Sequence, residues 1–242
     1  VSAFLLNRSS DLRPVRRLKS EIIMILVDLN QVMISNLMMH IQGASSIDED
    51  LVRHMVFNSL RMYNKKFGSK YGDMVICCDD KNYWRKEVFP QYKANRRKSR
   101  ETSDFDWNEA FRILHSIREE LLENFPYKVI HVDGCEADDI IAVLVKHAKE
   151  PVLIVSGDKD FQQLHSESVT QWSPNLNRMV HCEDTNLFLK EHILKGDKSD
   201  GIPNILSNDD CLDQGIRQTP LKKTILEKYL RISIEADDKY YR

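Results

Sequence analysis

Four short, mostly apolar runs set the pattern of this chain, and acidic residues follow each of them. The runs lie at residues 22–27, 74–78, 127–132 and 151–155. Because they are rich in β-branched side chains and lack polar alternation, they predict strands buried on both faces of a sheet. Helical spacing of apolar residues predicts helices over residues 30–41, 46–67, 106–125 and 136–149. The alternation of the two predicts an α/β fold with a mainly parallel central sheet flanked by helices.

The rest of the chain has a different pattern. Two short strand-like runs around a turn predict a hairpin over residues 169–181. A helix is predicted from Asp184 to about Leu194, and a basic helix over residues 220–230. Residues 1–20 hold five Lys or Arg and no clean periodicity. They predict a flexible basic tail, with a transit peptide as the alternative.

The acids that follow the strands are candidate metal ligands. They are Asp28, Asp79, Glu136, Asp138, Asp158 and Asp160. Any one of them could instead cap the helix that comes next. If the strands lie side by side, however, the carboxylates meet at one edge of the sheet, and their mutual repulsion requires bound cations. Oxygen ligands without His or Cys favour Mg²⁺ or Mn²⁺ over zinc.

Composition narrows the class of protein. The 242 residues suffice for one large domain, or for one domain with a small appendage. Five cysteines without a C-x-x-C pair predict core thiols in a reducing compartment, hence a cytoplasmic protein. The sequence shows no apolar run near the roughly 20 residues that span a bilayer, so no membrane association is expected.

A net charge of −2 conceals a strongly basic segment at residues 81–100, where eight Lys or Arg accompany one acid. Aromatic residues are interleaved with these cations, which predicts stacking on bases and neutralisation of phosphates. A solvated basic loop is the alternative. Residues 93–104 hold five cations and no large aliphatic side chain, so we expect them to be unstructured without nucleic acid.

Six motifs, taken in order, resemble one family, the metal-dependent 5′ nucleases. This family includes flap endonucleases and the 5′ nuclease domain of bacterial DNA polymerase I, and the likeness is greatest to its branch of T-even-like phage ribonucleases H. The motifs are the strand ending in Asp28, the strand ending in Asp79, Trp84-Arg85 through Phe89-Pro90-x-Tyr92-Lys93-x-Asn95-Arg96, Cys135-Glu136-Ala137-Asp138-Asp139, Ser156-Gly157-Asp158-Lys159-Asp160-Phe161 and Lys195-Gly196-Asp197-Lys198-Ser199-Asp200.

The resemblance implies a PIN-like 5′ nuclease fold. A catalytic domain over 21–192 would include a helical arch at 81–106, and a helix-three-turn-helix region in 193–242 would bind duplex. A first metal would bind Asp28, Asp79, Glu136, Asp138 and Asp158, and a second would bind Asp160, Asp197 and Asp200. Lys93 and Arg96 would act on the phosphate. The implied nucleic-acid contacts are Arg85, Tyr92, Lys93, Arg96, Arg97, Lys98, Lys195, Lys198, Lys222 and Lys223.

The implied activity is 5′→3′ exonuclease, ribonuclease H and flap cleavage with two Mg²⁺ ions, for which Mn²⁺ would substitute. The substrates would be RNA–DNA hybrids and branched or flapped duplex DNA, and the role would be removal of primers and flaps in replication. A monomer, working with a single-strand-binding protein and a sliding clamp, is expected. Residues 201–208 depart from the Gly-rich turn of the family, which puts the duplex-binding element in question.

Two other functions remain open. A PIN-type ribonuclease would share the acids at the strand ends, but it would lack the basic arch and the turn that carries Asp197 and Asp200. A non-catalytic nucleic-acid-binding module would lack some of the carboxylates. In that turn, the alternative to metal binding is that one acid caps a helix.

Overall fold

A six-stranded sheet forms the centre of the fold, with the strand order β3-β2-β1-β4-β5-β6. The computed structural model describes residues 24–41 and 46–230, so the predicted tail at 1–20 lies outside the described residues. The strands are β1 Met24–Asp28, β2 Asp73–Cys78, β3 Lys128–His131, β4 Val152–Val155, β5 Val169–Ser173 and β6 Arg178–Val180. Strands β1 to β5 pair in parallel and β6 pairs antiparallel with β5. The mainly parallel sheet and the hairpin are therefore confirmed.

Eight α-helices surround the sheet in the part of the chain that the structure describes. They are α1 Leu29–Ile41, α2 Glu49–Tyr71, α3 Arg85–Val88, α4 Ala94–Glu101, α5 Trp107–Asn124, α6 Ala137–His147, α7 Thr185–Lys195 and α8 Lys223–Leu230. A 3-10 helix covers Lys159–Leu164. The cap of α2 is Asp48, whose side chain accepts from the Leu51 amide, so the predicted start at Ser46 is wrong by two residues. None of the described helices has the length and apolar character needed to cross a bilayer.

Both faces of the sheet are covered. On one face α1, α2 and α5 pack over Leu153 and Val155 of β4, and on the other face α6 packs over Val152 and Ile154. All four β4 side chains are fully buried, as the continuous apolar run predicts. Each such burial stabilises the fold by about 1.5–3 kcal/mol. The acids beyond β4 are therefore attached to a rigid strand.

The order of the strands fixes where the acids meet. The chain passes from β1 to β2 and β3 on one side, and then crosses back to β4 on the other side of β1. Ligands of open α/β sheets bind where the winding reverses in this way, beyond the carboxyl ends of the strands. Asp28 ends β1, so it lies at the middle of that edge.

The structure differs from two expectations. Residues 94–101 form α4, although they lack large apolar side chains. Polar contacts hold the helix: the Asn95 side-chain amide donates a hydrogen bond of 2.7 Å to the Lys198 carbonyl, and Lys98 forms an ion pair of 2.7 Å with Asp213. The second expectation, the helix-three-turn-helix, is not confirmed in the described residues. After α7 the chain runs through turns, and the next described helix begins only at Lys223.

A glycine shapes the turn after α7, and Gly196→Ala should destabilise the protein. Gly196 has a φ of 67°, and an added Cβ would lie 2.3 Å from the Pro203 carbonyl oxygen. Gly215 is a matched control, since its φ is 70° but nothing lies within 4 Å of its added Cβ. We expect urea unfolding to show a loss of about 1–2 kcal/mol for Gly215→Ala, from its backbone conformation alone, and clearly more for Gly196→Ala. Equal losses would contradict the close approach of the two segments.

Candidate active site

The predicted acids of the first group meet at the carboxyl edge of the sheet. Asp28 lies opposite Cys77 in the register of β1 and β2, and Asp79 directly follows β2. Glu136 and Asp138 come from the cap and first turn of α6, and Asp158 caps the 3-10 helix after β4. Four separate strands thus deliver carboxylates to one region.

Asp28 is held on both of its oxygens. Oδ1 accepts from the Gln31 amide at 3.1 Å, and Oδ2 accepts from the Ser156 hydroxyl at 3.1 Å. Burial is the main cause that raises the pKa of Asp28 to about 7, and the nearby charges of Asp79 and Asp138 contribute to this rise. The carboxylate is therefore costly to ionise without a cation beside it.

Asp79 and Asp138, which lie near Asp28, also have raised pKa values. Asp79 accepts from the Ala137 amide at 2.7 Å and from the side-chain amide of Asn30. Burial raises the pKa of Asp79, and the charge of Glu136 raises it too. Burial followed by the charge of Glu136 raises the pKa of Asp138 to about 6. Their clustering favours a bound cation, as predicted from the strand ends.

Glu136 is the most enclosed of these acids, with 1% of its surface exposed. Its Oε1 lies 2.6 Å from Lys93 Nζ. Its Oε2 accepts from the Tyr92 hydroxyl at 2.9 Å and from Arg85 at 3.1 Å. Burial opposes the charge of Lys93, but Asp200 and Glu136 outweigh it and raise the pKa of the ammonium. For Glu136 to bind a metal, Lys93 must leave it.

Tyr92 was expected to contact nucleic acid, but its side chain is buried among the acids. Tyr92 is only 4% exposed, which leaves no open ring face for a nucleobase to stack on. Its hydroxyl bridges Glu136 and Asp200, with 3.1 Å to Asp200. Arg96 forms an ion pair with Asp200 and donates to the Ser199 carbonyl at 3.0 Å. Tyr92 and Arg96 of the basic segment are thus connected to the acids through their side chains.

Asp160 and Asp197 form a second group, in which the sequence prediction missed a histidine. His192 Nε2 lies 3.2 Å from Asp160 Oδ1 and 3.9 Å from Asp197 Oδ2. Within the described ranges, these three side chains are the only group of three or more His, Cys, Asp or Glu residues whose potential ligand atoms all lie within 4.8 Å of one another. The prediction of oxygen ligands alone did not include this nitrogen. Asp200 faces Tyr92 and Arg96 instead, so the predicted trio of Asp160, Asp197 and Asp200 is divided.

The electrostatics of the second group differ from one acid to the other. Burial, followed by the charge of Asp158, raises the pKa of Asp160 to about 6. Burial also opposes ionisation of Asp197, but hydrogen bonds from Lys159 and Ser199 outweigh it and lower its pKa to about 2. Lys159 Nζ lies 2.8 Å from Asp197 Oδ2.

Apart from Arg85, the remaining predicted nucleic-acid residues lie on the surface. Arg85 is turned inward, because its guanidinium binds Asp139 at 2.7 and 2.8 Å. The exposed cations are Arg97, Lys98, Lys195, Lys198, Lys222 and Lys223. They form the part of the predicted interface that is open to a polyanion.

The side chains that could act as metal ligands here suit divalent cations. Asp28, Asp79, Asp138 and Asp160 all have raised pKa values in a small region. Asp160 Oδ1 is also buried and lacks a hydrogen bond of good geometry, although His192 Nε2 lies 3.2 Å away. Clustered carboxylates that protein donors leave partly unsatisfied are the ligands that hard divalent ions use.

Comparison with known sequences places these features in context. The family described as the N-terminal resolvase-like domain of 5′-3′ exonucleases matches residues 24–193. Ribonuclease H of Enterobacteria phage T4 is 35% identical over 84% of this chain and 70% of its own length. The 5′-3′ exonuclease of Buchnera aphidicola subsp. Schizaphis graminum is 31% identical over 59% of this chain. The match covers only 50% of the length of that protein. Flap endonuclease Xni of Shewanella sp. strain MR-4 is 32% identical over 54% of this chain and 51% of its own length.

Solved structures show the same fold. The T5 D15 protein co-crystallised with metal ions superimposes with a TM-score of 0.63 at 18% identity, covering 86% of this chain and 83% of that one. The T5 5′-exonuclease with bound zinc gives a TM-score of 0.63 at 16% identity over the same shares of the two chains. The PIN-like architecture of the sheet and its helices is thereby confirmed.

Proposed function

The chain belongs to the family of 5′-3′ exonucleases that share the N-terminal resolvase-like domain, and from this membership we propose that it is a metal-dependent phosphodiesterase that cleaves strands with a free 5′ end. The observation that carries the proposal is the meeting of Asp28, Asp79 and Asp138 near Lys93, whose charge acts on both Asp79 and Asp138. This arrangement joins a cation site to a positive charge placed for a phosphate. The PIN-type alternative is disfavoured, because both the basic arch and the turn with Asp197 and Asp200 are present.

In this proposal the acids hold two divalent ions, with Mg²⁺ as the physiological ion and Mn²⁺ as a substitute. When bound, such ions activate the attacking water and stabilise the leaving oxygen of the phosphodiester. Ser156 and the Gln31 amide orient Asp28, and the Ala137 amide orients Asp79. These hydrogen bonds fix the carboxylates before substrate arrives, so little reorganisation accompanies the reaction.

Lys93 and Arg96 would exchange their partners when substrate binds. In the structure they neutralise Glu136 and Asp200. A cation at the acids would take over that role and free both side chains for the scissile phosphate and its neighbour. Arg96 offers a planar guanidinium that suits a phosphate, and Lys93 offers a point charge.

The proposed substrates follow from these contacts. Phosphate contacts carry no base code, so selection would depend on the free 5′ end and on junction shape. RNA–DNA hybrids and flapped or branched duplex DNA fit such a site, since tolerance of either sugar requires few contacts to the 2′-hydroxyl. The corresponding role is removal of primers and flaps during replication, performed by a monomer in the cytoplasm.

The test compares two 5′-labelled substrates, an RNA–DNA hybrid and a DNA flap, in Mg²⁺ and in EDTA. We expect short 5′ products from both in Mg²⁺ and none in EDTA, because the acids cannot activate water alone. A circular single-stranded RNA is the control, which a PIN-type ribonuclease would cut and this protein should leave intact. Cleavage in EDTA, or cleavage of the circle in preference to the flap, would overturn the proposal.

A further inference from the structure

We propose that the imidazole of His192, together with Asp160 and Asp197, ligates the second divalent ion, so that this site prefers a first-row transition ion to Mg²⁺. The inference deepens the proposed function and rests on it, since the site is part of the same cluster of acids. Its basis is one nitrogen and two carboxylate oxygens drawn together from α7, from the turn after α7 and from the 3-10 helix after β4.

The separations suit a shared cation. The His192 nitrogen lies 3.2 Å from one carboxylate oxygen and 3.9 Å from the other. Two ligands bound at about 2.0–2.2 Å to one ion stand about 3–3.6 Å apart in adjacent coordination positions, so the 3.2 Å separation fits directly and the 3.9 Å separation must shorten by a few tenths of an ångström. In addition, Asp160 Oδ1 has no hydrogen-bond donor of good geometry, although it is buried. An ion would satisfy that oxygen.

The ligands are also oriented by their surroundings. The His192 ring stacks on Phe188, with ring centroids 5.8 Å apart and planes 9° apart. Asp197 Oδ1 accepts from the Ser199 amide at 2.7 Å and from the Ser199 hydroxyl at 2.6 Å. These bonds leave Oδ2 to face Lys159 Nζ at 2.8 Å and His192 Nε2 at 3.9 Å. Partners of this kind, which fix a ligand from behind, are what bound metals require.

The competing explanation is that His192 is a cation that pairs with two acids. Against it, Lys159 already supplies a positive charge to Asp197 at 2.8 Å. The Lys159 side chain is 55% exposed, so it can move into solvent when an ion enters. His192 is more enclosed and is held by its ring, as expected of a ligand.

The donor type sets the expected preference. Imidazole nitrogen binds borderline transition ions well, whereas Mg²⁺ takes oxygen ligands and retains its water. The sequence carried little signal for this ligand, since His192 lies five residues before Asp197 with no motif around it. Only the packing of α7 against the 3-10 helix reveals it.

Mn²⁺ provides the test, because its electron spin reports directly on a nitrogen ligand. The intact protein and the His192→Ala and His192→Asn variants are titrated with Mn²⁺ and with Mg²⁺ by calorimetry, and the Mn²⁺ forms are examined by pulsed EPR. We expect a ¹⁴N modulation in the wild type that both variants lose. We also expect their weaker Mn²⁺ site to lose about tenfold or more in affinity, with a much smaller change for Mg²⁺. His147→Ala, which removes an exposed histidine at the end of α6, is the matched control.

The outcomes separate the two proposals. If the modulation is absent from the wild type or persists in both variants, the ligand assignment is overturned, and the nuclease function stands provided that the flap is still cut in Mg²⁺. If the modulation depends on His192 but no substrate is cut with either ion, the function fails and the ligand assignment stands. Loss of the modulation in His147→Ala would also overturn the assignment.

Discussion

Asp28→Asn should abolish cleavage, lowering turnover by about three orders of magnitude or more, because a metal-binding charge at the centre of the sheet edge is lost. Substrate affinity, measured in Ca²⁺, should stay within a few-fold, since Asp28 supplies none of the surface cations. Single-turnover cleavage of the flap substrate measures the first effect and a binding titration the second. Turnover within tenfold of the wild type would contradict the metal-site assignment.

The same variant should be more stable than the wild type when metal is absent. The pKa of Asp28 rises from 3.8 to about 7 on folding, so its charge opposes folding, and this penalty grows as pH rises through that interval. It amounts to a few kcal/mol at most above pH 7. Thermal unfolding in EDTA should therefore show a gain for Asp28→Asn at pH 8 that is nearly absent at pH 4, where both side chains are neutral.

Asp133→Asn is the matched control for Asp28→Asn. Asp133 also follows a strand, β3, but its side chain is fully exposed and stands apart from the cluster. Neither cleavage nor the pH dependence of stability should change. If Asp133→Asn reproduces the stabilisation at pH 8, the effect comes from net charge and not from the buried position of Asp28.

The sheet and its acids could be predicted from the sequence because their signals are local. The composition of the run at residues 151–155 alone predicts a buried strand. The acids that follow it in the chain must lie at the end of that strand. Parallel pairing then brings Asp28 and Asp79 together without further information. For the same reason, the hairpin at β5 and β6 followed from a turn and two short runs.

The polar partners of those acids could not be predicted, because they join residues far apart in sequence. Tyr92 reaches Asp200 across 108 positions, and Lys93 reaches Glu136 across 43. The interleaved aromatic and basic residues suggested stacking on bases, yet Tyr92 became part of the buried polar network instead. His192 carried no motif at all. Which side chains contact each other in this way depends on how the helices pack on the sheet. The spacing of residues along the sequence does not predict such contacts.

Lys93→Ala should slow the chemical step far more than it weakens binding. A positioned charge lost from the transition state costs about 10²–10³-fold in rate, whereas one phosphate contact among many costs little affinity. The backbone at Lys93 has a φ of 57°, which Ala tolerates no worse than Lys does, so the substitution tests the ammonium. Single-turnover rates in Mg²⁺ and binding in Ca²⁺ separate the two quantities. Lys86→Ala, which removes an exposed cation of the same segment, is the control and should leave the rate nearly unchanged.

The stability of Lys93→Ala then tests the exchange of partners. Without metal, the Glu136 carboxylate loses its contact at 2.6 Å while remaining buried, so the variant should be less stable than the wild type in EDTA. Saturating Mg²⁺ should reduce this deficit, because a cation at the acids replaces the ammonium. A deficit of the same size in EDTA and in Mg²⁺ would mean that Lys93 stays on Glu136 throughout. In that case Lys93 could not be the residue that meets the phosphate, and the rate of Lys93→Ala should match that of Lys86→Ala.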